Sequence, residues 1–128
     1  MLIVAITLAA APVPDYIAFS QYAKTVAIAA TSAGTCPSVG VQVDREGLGR
    51  WAEKASSEGV YGGIDESMAN MILADALKQE RANLEVLADR AKDSTGDRRE
   101  FERFRDYWAR RCSDLANNPE TSPYFSQR

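Results

Sequence analysis

The chain contains no histidine among its 128 residues. Histidine is the most frequent general base near neutral pH, the most frequent metal ligand and the usual partner of a serine or cysteine nucleophile. Its absence argues against most hydrolases and metalloenzymes. Two cysteines with scattered acids do not form a metal-binding pattern either. We therefore predict a protein that is not an enzyme, with no catalytic residue and no bound metal.

Paired acidic side chains offer a route to catalysis that needs no histidine. Glu66 and Glu80 fall toward the later apolar face of one predicted helix, and two carboxylates can act as acid and base. They lie roughly 21 Å apart along that helix, at 1.5 Å per residue, which is too far to act on one substrate atom. We therefore rank an enzyme that uses carboxylates alone below a protein-binding or ligand-carrying role. We expect instead that each glutamate pairs with an arginine or extends to solvent.

Signatures of cofactor binding and of redox chemistry are also missing. The glycines of Gly59–Gly63 are not followed by the lysine and hydroxyl residue of a phosphate-binding loop. The two cysteines do not form a Cys-x-x-Cys motif, and no histidine is present to lower the pKa of a thiol. We therefore predict no cofactor and no redox catalysis.

Positive charge is not in excess. Fifteen Lys and Arg face eighteen Asp and Glu, giving a net charge of -3. Nucleic-acid binding depends on a basic face that neutralises phosphates, so we predict no nucleic-acid partner. Six arginines do cluster in 97–114, but five acids are interleaved with them at spacings that allow local pairing.

No apolar run is long enough to span a bilayer, which takes about 20 residues as a helix. The longest, Leu2–Ala11, resembles the core of a secretory signal, with Ala9–Ala11 as small residues for cleavage. No Lys or Arg precedes it and Pro12 follows it, so cleavage near Ala29 or Ala33 is an alternative. We expect a periplasmic or secreted protein without a stable membrane span after processing. The other interpretation is a buried N-terminal segment of a cytoplasmic protein.

The domain boundaries follow from this choice. Residues 1–33 are predicted to be an export signal or an N-terminal apolar helix, and residues 34–128 a single helical domain. A length of 128 residues is that of one domain. Whether residues 15–30 belong to the mature fold stays open.

Apolar residues recur at helical spacing in four segments: Asp15–Ala30, Asp44–Ser56, Ile64–Asp93 and Asp97–Ala116. Asp44, Asp65 and Asp97 are suited to cap the last three of these helices. The fold class is therefore all-α, a small irregular bundle of three to four helices. The last two are expected to be antiparallel through the short turn Ser94–Gly96.

The remaining segments are predicted to be irregular. Val39, Val41 and Val43 alternate as in a strand, but no second strand is evident, so we predict extended coil. Ser57–Gly63 is predicted to be a loop, and so is the tail after Leu115, with Tyr124 and Phe125 docking on the core. The first turns of the long third helix are apolar nearly all round, which predicts that they are covered on more than one side. The predicted core is Trp51, Met68, Ile72, Leu77, Leu84, Leu87, Phe101, Phe104, Trp108 and Leu115.

Cys36 and Cys112 are the strongest chemical feature. An even cysteine count in a short, exported chain indicates a disulfide. Chain entropy gives a loop of this length roughly 4.5 kcal/mol of stabilisation. Two buried free thiols are the alternative in a cytoplasmic protein.

We predict a small exported protein without enzymatic activity that binds another protein or protects the cell envelope. The alternative is a small-molecule carrier with an aromatic-lined groove between helices. Trp51, Tyr61, Tyr107 and Trp108 are the candidate ligand-binding residues for that groove. Aromatic side chains at helical spacing more often form the core.

Overall fold

The computed structural model describes residues 13–93 and 98–127, without the side chains of residues 59–61 and 93. It is mostly helical, which confirms the predicted fold class. The apolar run Leu2–Ala11, the Ser94–Gly96 turn and the Asp97 cap fall outside the described residues.

Helix α1 spans Tyr16–Ser32 and begins where the sequence predicts. Asp15 caps it, because its carboxylate accepts a hydrogen bond from the backbone N–H of Ala18 at 2.9 Å. The face that α1 buries is mostly small: Phe19, Ala23, Val26, Ala27, Ala29 and Ser32. Residues 15–30 are therefore an integral part of the core of this chain.

Helices α4 (Glu66–Asp93) and α5 (Arg98–Asn117) are the two longest elements. The Asp65 carboxylate accepts from the backbone N–H of Ser67 at 3.1 Å, at the predicted cap. Glu80 meets Arg111 near the middle, and Ala91 shares a cleft with Glu100 near the end, so α4 and α5 are antiparallel, as predicted. In contrast, α1 runs parallel to α4, because Ser20 lies beside Ile72 and Thr31 beside Leu84.

A small antiparallel sheet joins the middle of the chain to its end. Strand β1 (Val41–Val43) pairs with β2 (Phe125–Gln127), with Val43 opposite Phe125. The prediction of extended coil at β1 was wrong, because its partner strand lies in the tail. The sequence of the tail has no local pattern that indicates a strand. Docking of the tail is confirmed, since Phe125 is 1% exposed.

Two short helices connect the sheet to α4. Helix α2 (Arg45–Glu53) is capped by Asp44, which accepts from the backbone N–H of Gly47 at 3.0 Å. A Cβ on Gly47 would lie 3.1 Å from the Tyr124 ring and 2.5 Å from the Asp44 carboxylate, so this close packing requires glycine. After Lys54 the chain resumes as α3 (Ala55–Tyr61), which replaces most of the predicted loop Ser57–Gly63. α3 packs on α4, and buried Ala55 anchors its start, so tertiary contacts outweigh the weak helix propensity of the segment.

The disulfide between Cys36 and Cys112 is present, with 5.5 Å between the two Cα atoms. Cys36 begins a short 3-10 helix, Cys36–Val39, and Cys112 lies on the inner face of α5. Both are fully buried in the main core, together with Ala29, Val41, Leu48, Trp108, Leu115 and Phe125. A second, smaller core of Phe19, Ile64 and Ala69 lies near the N-terminal ends of α1 and α4.

The predicted core is correct at its centre and wrong at its ends. Trp108 and Leu115 are buried, whereas Met68 and Phe101 are 40% and 60% exposed. The half-buried members are Trp51, Ile72, Leu77, Leu84, Leu87 and Phe104. The first turns of α4 are not covered on several sides. Ile64 and Ala69 face the smaller core, while Met71 is 60% exposed.

Candidate functional site

The guanidinium of Arg111 is the most densely bonded group in the described residues. Its five N–H groups all find acceptors, which is the full donor capacity of an arginine. The acceptors are Ser32 Oγ at 2.7 Å from Nε, Glu80 Oε1 at 2.6 Å and Tyr107 Oη at 3.0 Å from Nη1, and Thr31 Oγ1 at 3.0 Å and the Ile28 carbonyl at 3.4 Å from Nη2. We call these residues the Arg111 cluster. It ties α1, α4 and α5 together at one point.

The ion pair between Arg111 and Glu80 is shielded from water. Each side chain is 8% exposed. This confirms the expectation that Glu80 pairs with an arginine. Glu66 is exposed at the start of α4, so the structure does not bring the two glutamates together. A buried pair contributes little net stability, but it strongly disfavours arrangements that leave either charge without its partner.

The last turn of α1 is built to receive a cation. The Ser32 and Thr31 hydroxyls donate to the Ile28 and Ala27 carbonyls at 2.5 Å and 2.7 Å, so their oxygens remain free to accept from Arg111. The carbonyl end of a helix also carries the negative end of its dipole, which favours a positive charge there. Arg111 therefore caps α1 from the neighbouring helix α5.

Aromatic rings complete the surroundings of Arg111. Its guanidinium carbon lies 5.5 Å from the centroid of the Trp108 ring and 6.0 Å from that of Tyr107. Both distances are within the range of cation–π attraction. Trp108 is buried in the main core, and Tyr107 is half-buried.

Of the aromatic residues predicted to share a groove, Tyr107 and Trp108 are in edge contact, with ring centroids 6.0 Å apart. Trp51 lies between Tyr22 and Tyr124, edge-on to the first ring and tilted against the second, with ring centroids 5.8 Å and 5.7 Å away. Tyr107 lines a cleft beside α1, whereas Trp108 faces the core. The side chain of Tyr61 lies outside the described part of the chain.

The surroundings of Tyr22 make its hydroxyl unsuited to acid–base catalysis. Burial raises the pKa of its hydroxyl to about 12, and the negative charges of Glu58 and Glu120 add to this effect. Tyr22 is therefore neutral at physiological pH and is no candidate for a general base.

A cleft of about 280 Å³ opens next to the Arg111 cluster, between α1 and α5. We call it the α1–α5 cleft. The surface that faces into the cleft is formed mostly by apolar atoms. The lining residues are Thr25, Ile28, Tyr107, Arg110, Arg111, Asp114, Leu115 and Asn118. Sequence reasoning missed this cleft and the polar partners of Arg111 on α1. The one local signal is the spacing of Tyr107 and Arg111, four residues apart on one helix.

Large apolar side chains are exposed where α1 and α4 begin. Ile17 is 75% exposed, Tyr16 47%, and Val13, just before α1, 89%. Met68 and Met71 are exposed on the first turns of α4. Since the two helices are parallel and share the core of Phe19, Ile64 and Ala69, these five residues lie at one end of the molecule. We call them the apolar end.

Two features that often reveal function are absent from the described residues. Within 13–93 and 98–127, no three or more acidic or cysteine side chains are grouped so as to hold a metal ion. In the same part of the chain, no helix is both long and apolar enough to cross a membrane. Comparison with protein-family models, curated proteins and solved structures finds no match to this chain.

Proposed function

We propose that this chain is an exported, disulfide-linked helical domain that binds another protein through its apolar end and has no enzymatic activity. The observation that carries the proposal is the joint presence of a fully buried disulfide and a group of exposed large apolar side chains. One feature bears on the compartment and the other on the partner.

The disulfide supports export. Cys36 and Cys112 are each 0% exposed, so the bridge is part of the core rather than a surface redox pair. Structural disulfides of this kind persist in oxidising compartments and are rare in the cytoplasm of mesophiles. A periplasmic or secreted location follows as part of the proposal.

The packing of α1 bears on where a signal would be removed. Cleavage near Ala33 would delete all of α1, including buried Phe19 and Val26 and three acceptors of Arg111. It would leave the Glu80–Arg111 pair open to water and the core without one wall. Cleavage near Ala11 would leave every described residue in place, which supports processing at that position.

The apolar end supports a protein partner. Exposed groups of large apolar side chains on a small soluble domain mark interaction surfaces more often than single exposed residues do. Methionine side chains are flexible and polarisable, so Met68 and Met71 can adapt to a partner's surface. Envelope protection is compatible with such a surface, since unfolding proteins expose apolar segments.

Site-specific photocrosslinking in the native host tests the proposal. A photoreactive amino acid is placed at Ile17 or at Met71, and at Val86 as the control, which is 57% exposed and lies elsewhere on α4. We expect the same crosslinked protein from positions 17 and 71 and none from position 86. Equal crosslinking at all three positions, or none at 17 and 71, would overturn the binding surface.

Location and processing are tested on the same cells. We expect the protein in the periplasm or medium, with an intact mass that corresponds to a start near Pro12 and two hydrogens fewer than the reduced form. Cytoplasmic material with two free thiols would contradict export.

A further inference from the structure

The α1–α5 cleft has the dimensions and lining of a small binding site, separate from the apolar end. Ile28 on α1 and Leu115 and Tyr107 on α5 contribute apolar surface to its lining. Its volume of about 280 Å³ lies just below the range of clefts that hold drug-sized molecules, about 300–1,000 Å³. A fitting ligand is therefore small and has an apolar body.

The inner wall of the cleft offers no charge to a ligand. Every N–H of Arg111 already donates to a protein acceptor, so this arginine has no free donor for an anion. The Thr25 hydroxyl donates to the Gln21 carbonyl at 3.2 Å, which leaves it only as an acceptor. Charge recognition falls to the two exposed residues at the mouth, Arg110 and Asp114.

Arg110 and Asp114 lie one helical turn apart on α5, and both line the cleft. No ion pair within 4 Å joins them among the described residues. An arginine that precedes its acid by four residues is also the less favourable order for pairing on a helix. Each charge is thus free to meet a charge on a ligand.

Charge complementarity selects the ligand class. A simple anion attracted to Arg110 is repelled by Asp114, and a simple cation meets the reverse problem. A molecule whose ammonium and carboxylate groups are bonded to the same carbon, together with an apolar side chain, satisfies both residues and the apolar lining at once. We propose that the α1–α5 cleft binds a free α-amino acid with an apolar side chain. Its carboxylate faces Arg110, its ammonium faces Asp114, and its side chain lies against Ile28 and Leu115.

Isothermal titration calorimetry of the full chain, with its disulfide intact, tests this ligand class. L-phenylalanine is the probe, and 3-phenylpropionate and phenethylamine are analogues that each lack one of the two charges. We expect saturable binding of L-phenylalanine and at least tenfold weaker binding of either analogue. Absence of binding by L-phenylalanine, or equal binding of all three, overturns the proposal.

Variants at the mouth locate the site. Arg110→Gln is expected to weaken L-phenylalanine binding at least tenfold and to strengthen phenethylamine binding, because it removes the repulsion of the ammonium. Asp114→Asn should likewise weaken L-phenylalanine binding at least tenfold and strengthen 3-phenylpropionate binding. Arg105→Gln and Asp106→Asn are the controls, because both residues are exposed on α5 outside the cleft. Equal losses in the control variants would place binding elsewhere. Crosslinking at the apolar end is independent of these outcomes, so the two proposals can fail separately.

Discussion

Replacing Arg111 with methionine should unfold the domain at a much lower temperature than replacing a surface arginine. The substitution keeps an apolar stem of similar length but leaves the Glu80 carboxylate, 8% exposed, without its cationic partner. Removal of one member of a buried ion pair typically costs about 3–5 kcal/mol, because the other charge remains desolvated. At roughly 4 °C per kcal/mol for a domain of this size, Tm should fall by about 12–20 °C.

Arg103 provides the matched control on the same helix. Its Nη1 lies 2.6 Å from Glu100 Oε1, the same distance as in the buried pair, but its side chain is 72% exposed. Exposed pairs contribute about 0.2–1 kcal/mol, so Arg103→Met should lower Tm by no more than about 4 °C. The two ion pairs thus match in distance and differ in burial and in the additional hydrogen bonds that Arg111 makes.

The double variant Arg111→Met, Glu80→Leu tests the reasoning further. It removes both charges and leaves an apolar pair, so most of the loss caused by Arg111→Met alone should be recovered. Thermal unfolding followed by circular dichroism measures all four proteins. If the double variant were less stable than the single one, or if Arg103→Met matched Arg111→Met, the account of the Arg111 cluster would be refuted.

Three further outcomes are expected from other parts of the fold. Reductant alone should leave the disulfide of the native protein intact, because Cys36 and Cys112 are 0% exposed, whereas denaturant plus reductant should open it and lower the stability by up to about 4.5 kcal/mol. Rapid reduction of the native protein, detected by mass spectrometry, would contradict this. Phe125→Ala should lower the free energy of unfolding, measured in urea, by about 3–5 kcal/mol, whereas Phe101→Ala, at a 60% exposed site, should lower it by under about 0.5 kcal/mol. Similar losses in the two variants would argue against the docked tail. The pKa of Tyr22 is about 12 in the folded protein and 10.0 in the unfolded chain, so the native state keeps this proton to higher pH. Stability should therefore be unaffected below pH 10 and fall between pH 10 and 12. Tyr22→Phe should reduce that fall, and an unchanged pH profile of stability would exclude Tyr22 as its source.

Local patterns predicted the helices well because their physical causes are local. The aspartates at positions 44 and 65 each cap a helix as predicted, since capping involves residues two or three positions away. The pairing of Cys36 with Cys112 was also predictable, because only two cysteines are present. The pairing of Glu80 with an arginine was expected because this carboxylate falls on an apolar helix face.

Features that depend on distant segments were not predictable from local patterns. Strand β1 needs β2, which is short and carries no alternation of its own. The exposure of Met68 and Phe101 depends on where neighbouring helices end, and periodicity does not report that. The α1–α5 cleft likewise arises from how two helices cross, so its lining could not be read from either helix alone.

The pairing of β1 with β2 makes this domain sensitive to the length of its own chain. Val41 is 3% exposed and Phe125 1%, and each strand completes the packing of the other. Asp44, which caps α2, also donates its backbone N–H to the Tyr124 carbonyl at 2.9 Å. A nascent or prematurely terminated chain that lacks residues 124–127 therefore leaves a strand edge and an apolar hole in its centre. Such a product should be open to proteases, because the edge of β1 is unpaired and the core beside Val41 is uncovered.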